Sequence, residues 1–246
     1  MKKTSLSLVF LVIALGAVPQ PAAAQLGIRG GISLNDFFGQ GVDQTEQTQK
    51  LSYGISVGLI RMGAFQITAE GYYRQKGAGL GALDALNTGG GPVALDSAQI
   101  AGLVGGSIGN QTLEFGLDYV EIPLLLRWNI TTLGGRFRPY VNAGPAFGWR
   151  IDCGVSVSLE GASEGSGPES ACQDLSQENL EETLRNYETG LVVGGGLDMA
   201  VLGGAGALTL DARLTRGLSR LSAGQDGVEV KNQAFSAVLG YTFGFF

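Results

Sequence analysis

Glu121 and Arg127 stand inside the most apolar run of the chain, residues 119–128, YVEIPLLLRW. Glu70, Asp198 and Asp211, with Arg29, Arg138, Arg150 and Arg213, recur in similarly apolar stretches. Two carboxylates such as Glu121 and Asp198 can act as an acid–base couple. The chain contains no histidine, however, so the usual partner that activates a nucleophile or a water is missing. Arginines at matching parity favour a different chemistry: buried ions that hold one another. Cys153 and Cys172 are the only cysteines. Without histidine they make a poor metal site. In an exported chain they are expected to form a disulfide. That bridge would close a loop of about 20 residues and contribute about 3 kcal/mol in a chain-entropy account.

The charges take their meaning from the elements around them. In 119–128, Glu121, Pro123 and Arg127 share one parity, and Ile122, Leu124, Leu126 and Trp128 share the other. Alternate residues of a strand point to opposite faces. The same alternation sets Leu208, Leu210, Ala212 and Leu214 against Thr209, Asp211, Arg213 and Thr215. It sets Phe65, Ile67, Ala69 and Tyr73 against Gln66, Thr68, Glu70, Tyr72 and Arg74. Eight such segments are predicted, near 26–34, 50–60, 63–74, 115–129, 136–151, 187–202, 206–217 and 233–246. Each is about ten residues or more, enough for a tilted strand to cross a bilayer. Their connections alternate. Arg61-Met62, 130–135 and 203–205 are short, whereas 35–49, 75–114, 152–186 and 218–232 are long. This pattern predicts an all-β fold: an eight-stranded antiparallel up-and-down transmembrane barrel with short periplasmic turns and long extracellular loops. A soluble sandwich or lipocalin-like barrel shares the period, but aromatics gather at the ends of the apolar faces. The opposite faces are too charged and glycine-rich for a solvated surface, and they suit a crowded lumen. Glu121 and Arg127 should therefore face inward and Leu124 should meet lipid. Pro123 lacks an N–H and should produce a bulge.

Composition agrees. Lys2 and Lys3 precede an apolar stretch at 6–18 and the small residues 22–24, so residues 1–24 read as a cleaved export signal and 25–246 as the barrel domain. Without the signal, 14 basic residues face 22 acidic ones, a net −8 that argues against nucleic acid as a partner. Glycine is 41 of 246 residues, fitting tight turns and crowded strand crossings. No segment after residue 24 approaches 18 consecutive apolar residues, which excludes a transmembrane helix and leaves a strand-built span.

YVEIPLLLRW, RFRPYVNAGPAFGWR at 136–150 and the closing LGYTFGFF at 239–246 resemble the outer-membrane β-barrel family that includes PorT-like proteins. The resemblance implies that the first two runs lie on adjacent central strands. It covers roughly 115–150 and the C-terminus, is generic over the first three strands, and carries no single activity and no catalytic residue. Gly240, Phe243, Phe245 and Phe246 have the spacing by which outer-membrane assembly machinery recognises a barrel for insertion.

Other motifs are weak. Gly89-Gly90-Gly91-Pro92 is not followed by Gly-Lys-Ser/Thr and reads as loop. SQENLEETLRN at 176–186 reads as a capped helix whose acids lack the spacing of a calcium loop. No cofactor and no metal are implied. The expected role is non-enzymatic, structural or in surface recognition through the long loops, among outer-membrane lipid and an extracellular or envelope protein partner. The alternatives are a narrow pore for solutes or ions and an accessory of a secretion or assembly machine.

Overall fold

The computed structural model describes residues 25–39, 45–81, 111–130, 137–159, 170–171, 185–201, 205–220 and 230–243. Eight long strands dominate: β1 Leu26–Gly39, β2 Thr45–Met62, β3 Phe65–Gly81, β4 Gln111–Asn129, β5 Phe137–Leu159, β7 Tyr187–Val201, β8 Gly206–Gly217 and β9 Val230–Phe243. The two-residue β6, Ser170–Ala171, pairs with Gly154 and Val155 of β5 as a flap outside the main ring. All pairings are antiparallel, each long strand joins its sequence neighbour, and Leu26↔Phe243 of β1 and β9 completes the ring. The result is a closed eight-stranded up-and-down barrel with no free edge, the arrangement that leaves no backbone polar group facing hydrocarbon.

The period-2 pattern sets the two faces. Along β4 burial alternates without interruption: Glu121, Pro123, Leu125 and Arg127 are buried, and Ile122, Leu124, Leu126 and Trp128 are exposed. Along β8 the same holds for Asp211 and Arg213 against Leu210 and Leu214. The polar face is thus the interior and the apolar face the outside, the reverse of a soluble barrel. Leu124 is 40% exposed and Glu121 1%. Two aromatic bands limit the apolar zone. Tyr53, Tyr73, Val120, Trp149 and Tyr187 follow one register line across β2, β3, β4, β5 and β7 near the long connections. Phe65 stacks on Trp128 near the short turns, with Phe137 and Phe243 also exposed at that end. The span from Phe65 to Tyr73 on β3 is about 27 Å along the strand and about 21 Å along the normal at ~40° tilt, close to the apolar band of known barrels.

Three expectations need correction. The strands run further toward the long connections than the alternation suggested, so 35–39, 45–49, 75–81, 111–114 and 152–159 are wall rather than loop. Over 75–81, QKGAGLG, glycines and polar residues gave the alternation little apolar contrast to follow. The turn after β2 is Gly63-Ala64 rather than Arg61-Met62, and Gly63 has φ +61, a left-handed conformation that glycine adopts freely. Pro123 makes no bulge. Its pairing with Ala146 keeps the register of Ile122↔Phe147 and Leu126↔Ala143, and the shift falls instead between Asp118 and Tyr119. A single missing donor is absorbed where Gly144 lets β5 approach so closely that an added Cβ would lie 2.0 Å from the Leu124 carbonyl oxygen. The helix read at 176–186 lies outside the described residues, apart from Arg185 and Asn186, which are not helical. The export signal at 1–24 and the glycine run at 89–92 also lie outside them.

Candidate functional site

The lumen is a column of ions on three levels, built by inward positions of all the long strands. Nearest the short turns, the Arg127 guanidinium of β4 pairs with Asp198 of β7 and lies 3.4 Å from the centroid of the Tyr140 ring. Thr209 donates to the other Asp198 oxygen at 2.8 Å. In the middle, Arg213 of β8 grips two carboxylates. It donates to Asp211 through Nε at 2.9 Å and Nη2 at 2.7 Å, and to Glu70 of β3 through both terminal nitrogens. Tyr140 donates to Asp211 at 2.6 Å and Asn142 does so at 3.2 Å. Arg29 of β1 borders this level and donates to Ser56 at 3.2 Å. Toward the long connections, Lys76 lies 2.8 Å from Glu121 and 3.3 Å from Glu188, and Asn232 donates to Glu188 at 2.9 Å. Arg74 is 3.3 Å from Glu121 and stacks over Tyr72. A last layer of Phe37, Leu117 and Cys153 is buried above the ions.

Among the described residues five buried cations (Arg29, Arg74, Lys76, Arg127, Arg213) match five buried carboxylates (Glu70, Glu121, Glu188, Asp198, Asp211), so these charges of the column balance. Its packing leaves little room. The void between Glu70, Arg127, Tyr140 and Arg213 holds about one water molecule. Glycines make this density reachable. A Cβ on Gly240 would lie 2.7 Å from the Arg29 side chain, and one on Gly196 would lie 2.5 Å from the Tyr140 hydroxyl.

Seven of the nine residues proposed for the charge network lie in this column: Arg29, Glu70, Glu121, Arg127, Asp198, Asp211 and Arg213. Arg138 and Arg150 sit at its two ends, half-buried, and Arg150 donates to Asn186 at 2.8 Å on an exposed rim. Glu121 and Asp198, the conceivable acid–base couple, occupy different levels and each is held by a cation. Lys76 and Glu188 were missed, and Arg74 was seen as inward-facing but not as a partner. Lys76 lies in a stretch read as loop, whereas Glu188 shares its parity with Asp198 and could have been found by extending that alternation. Cys153 is buried on β5, and Cys172 lies outside the described residues. Gly240 and the exposed Phe243 close β9 against β1 and β8, and Phe245 and Phe246 lie outside the described residues. Among the described residues no cluster of three or more potential metal ligands occurs.

Solved structures share the closed β-barrel fold. A major outer membrane protein from Thermus thermophilus aligns with TM-score 0.50 at 10% identity, over 91% of this chain and 100% of that one. Neisserial surface protein A aligns with TM-score 0.46 at 13% identity, again over 91% and 100%. Ail, the attachment invasion locus protein of Yersinia pestis, solved with the heparin analogue sucrose octasulfate, aligns with TM-score 0.40 at 12% identity, over 89% and 99%. No protein of curated function matches the chain. The model of the outer membrane protein beta-barrel domain matches residues 19–223. With most of its length matched and its greasy face turned outward around a sealed ionic core, this chain belongs to the outer-membrane β-barrel domain family.

Proposed function

We propose that the protein is a closed, non-conducting and non-enzymatic scaffold of the outer membrane that carries recognition segments on the cell surface. The observation that carries this reading is the neutral, packed ion column. Among the described residues it fills the middle of the lumen, where the void between Glu70, Arg127, Tyr140 and Arg213 has room for about one water, which weighs against a solute or ion pore. Its carboxylates are all engaged and the chain has no histidine, which weighs against catalysis. A rigid ring bearing long connections is the usual setting for binding loops. The segments at 82–110, 160–169 and 172–184 are the natural carriers, with a bridge from Cys153 to Cys172 bracing the third connection. Export by residues 1–24 and insertion through the C-terminal aromatic signal complete the route to the outer membrane.

The PorT-like resemblance gains support from one detail. Its two motifs lie side by side on β4 and β5, with Glu121↔Gly148 in register. That keeps an accessory role in an envelope machine as the second reading, tested by recovery of a stoichiometric envelope partner in pull-downs. The primary test is conductance in planar bilayers beside a porin control, combined with proteolysis of intact cells. A silent membrane and cleavage confined to the long connections are expected. Steady unitary currents would overturn the closed scaffold.

A further inference from the structure

Beyond the apolar band near the long connections, the outward face changes character in one sector. Leu214, Phe235 and Leu34 share a register line on β8, β9 and β1, and the exposed Leu218 follows two residues beyond Arg216. The next outward residues are Arg216, Gln233 and Asp36, again in register, followed by Lys231 opposite Phe38. Arg216 is exposed and its guanidinium lies 4.6 Å from the centroid of the Phe38 ring. One outward step past Tyr73 and Val120, β3 and β4 carry Gln75 opposite Asp118, and Asp118 accepts a hydrogen bond from the Tyr73 hydroxyl. Among the described residues the outward cations past the band include Arg216, Lys231 and, just before β7, Arg185, which donates to the Tyr187 hydroxyl, whereas β3 and β4 carry none there.

We propose that this β8–β9–β1 sector seats the phosphate of an anionic lipid headgroup in the leaflet at the loop end. The inference rests on the outer-membrane placement but not on the closed lumen. The height is right: one outward step past Leu214 is about 7 Å along the strand and about 5 Å along the normal, the depth of headgroups. The spacing is right as well. Arg216 and Lys231 are diagonal neighbours across β8 and β9, about 7–8 Å apart at their backbones, and a phosphate between them can take a charge-assisted hydrogen bond from each. Stacking on Phe38 holds the Arg216 fork in place before the lipid arrives. Asp36 and Lys231 each have a further contact of their own, so the phosphate joins an existing set. Arg216, Lys231 and Asp36 together leave the sector one positive charge, suited to a single phosphate.

The test is native mass spectrometry of the full-length mature protein from mixed micelles holding phosphatidic acid and phosphatidylcholine in equal amounts. Wild type should retain phosphatidic acid about tenfold over phosphatidylcholine, the scale of one charge-assisted contact. Arg216→Gln/Lys231→Gln should bring the ratio close to one, and Arg61→Gln, exposed beside the β2–β3 turn at the opposite end, should leave it unchanged. The heat-modifiable gel shift certifies folding, and Lys231→Gln alone serves if Arg216 cannot be replaced. An unchanged ratio in the folded double or Lys231→Gln variant overturns the proposal, as does a wild type without preference. Inorganic phosphate that displaces the lipid at equal concentration would identify a free-anion site instead and also overturns it. A conducting barrel with an intact lipid ratio would sink the closed-scaffold reading alone.

Discussion

Arg213 is the clamp of the lumen, and its removal gives the sharpest test of the ion column. The side chain is 1% exposed and engages Glu70 and Asp211 with bidentate geometry. In Arg213→Met, Glu70 loses both of its hydrogen bonds, whereas Asp211 keeps Tyr140 and Asn142. Stranding a buried charge by deleting its partner costs about 3–5 kcal/mol, and the retained donors on Asp211 place the expected loss near the middle, about 4 kcal/mol. Glu70→Gln leaves Arg213 attached to Asp211 and should cost about 2 kcal/mol. The double variant removes the pair together and should cost about 4 kcal/mol, so the coupling is about 2 kcal/mol. Arg74→Met is the internal control. Its one ionic contact is 3.3 Å long, and Glu121 keeps Lys76 at 2.8 Å, so about 1 kcal/mol is expected. Urea unfolding in lipid vesicles, followed by emission from Trp128 and Trp149 and by gel mobility, measures all four. Additivity of the two substitutions within about 0.5 kcal/mol, or an Arg213→Met variant no weaker than Arg74→Met, would show that the column does not hold the ring as described.

Leu124 lies midway between Val120 and Trp128, the register positions of the two bands, so Leu124→Arg should cost about 2–4 kcal/mol in vesicles. Indifference of folding to that change would mean the apolar face does not meet lipid. Gly196→Ala should press on the Tyr140 hydroxyl and the Leu210 carbonyl and cost about 1–3 kcal/mol, and an unaltered urea midpoint would contradict the crowding at β7. Cys153→Ser should speed protease cleavage between 160 and 184 without abolishing the heat-modifiable shift. Loss of the shift would mean that the proposed bridge from Cys153 supports the ring itself.

Much of this fold was legible because hydrocarbon imposes a strict rule on one face of each strand. Where the rule applies, as over 119–128 in β4 and 208–215 in β8, alternation assigned every residue to its side. It said nothing about height along the barrel. That is why Arg138 and Arg150, correct in parity, lie at the ends of the column, and why the partners of Glu121 were misjudged. Lys76 was invisible because it belongs to the part of β3 beyond the hydrocarbon, where its neighbours Gln75 and Gly77 give no apolar contrast. Pro123 misled because proline's missing donor was weighed alone, without the glycine on β5 that lets the neighbouring chain close in.

The neutrality of the lumen has an electrical corollary. Among the described residues the ten buried charges cancel, so the net acidity of residues 25–246 is carried by residues outside the ion column. Between 160 and 184 alone there are seven carboxylates and no basic residue. The far field of the molecule is therefore written by one connection rather than by the barrel. Such a field decays over about 8 Å in physiological salt, and it favours cationic visitors to that connection over anionic ones, the more weakly as ionic strength rises.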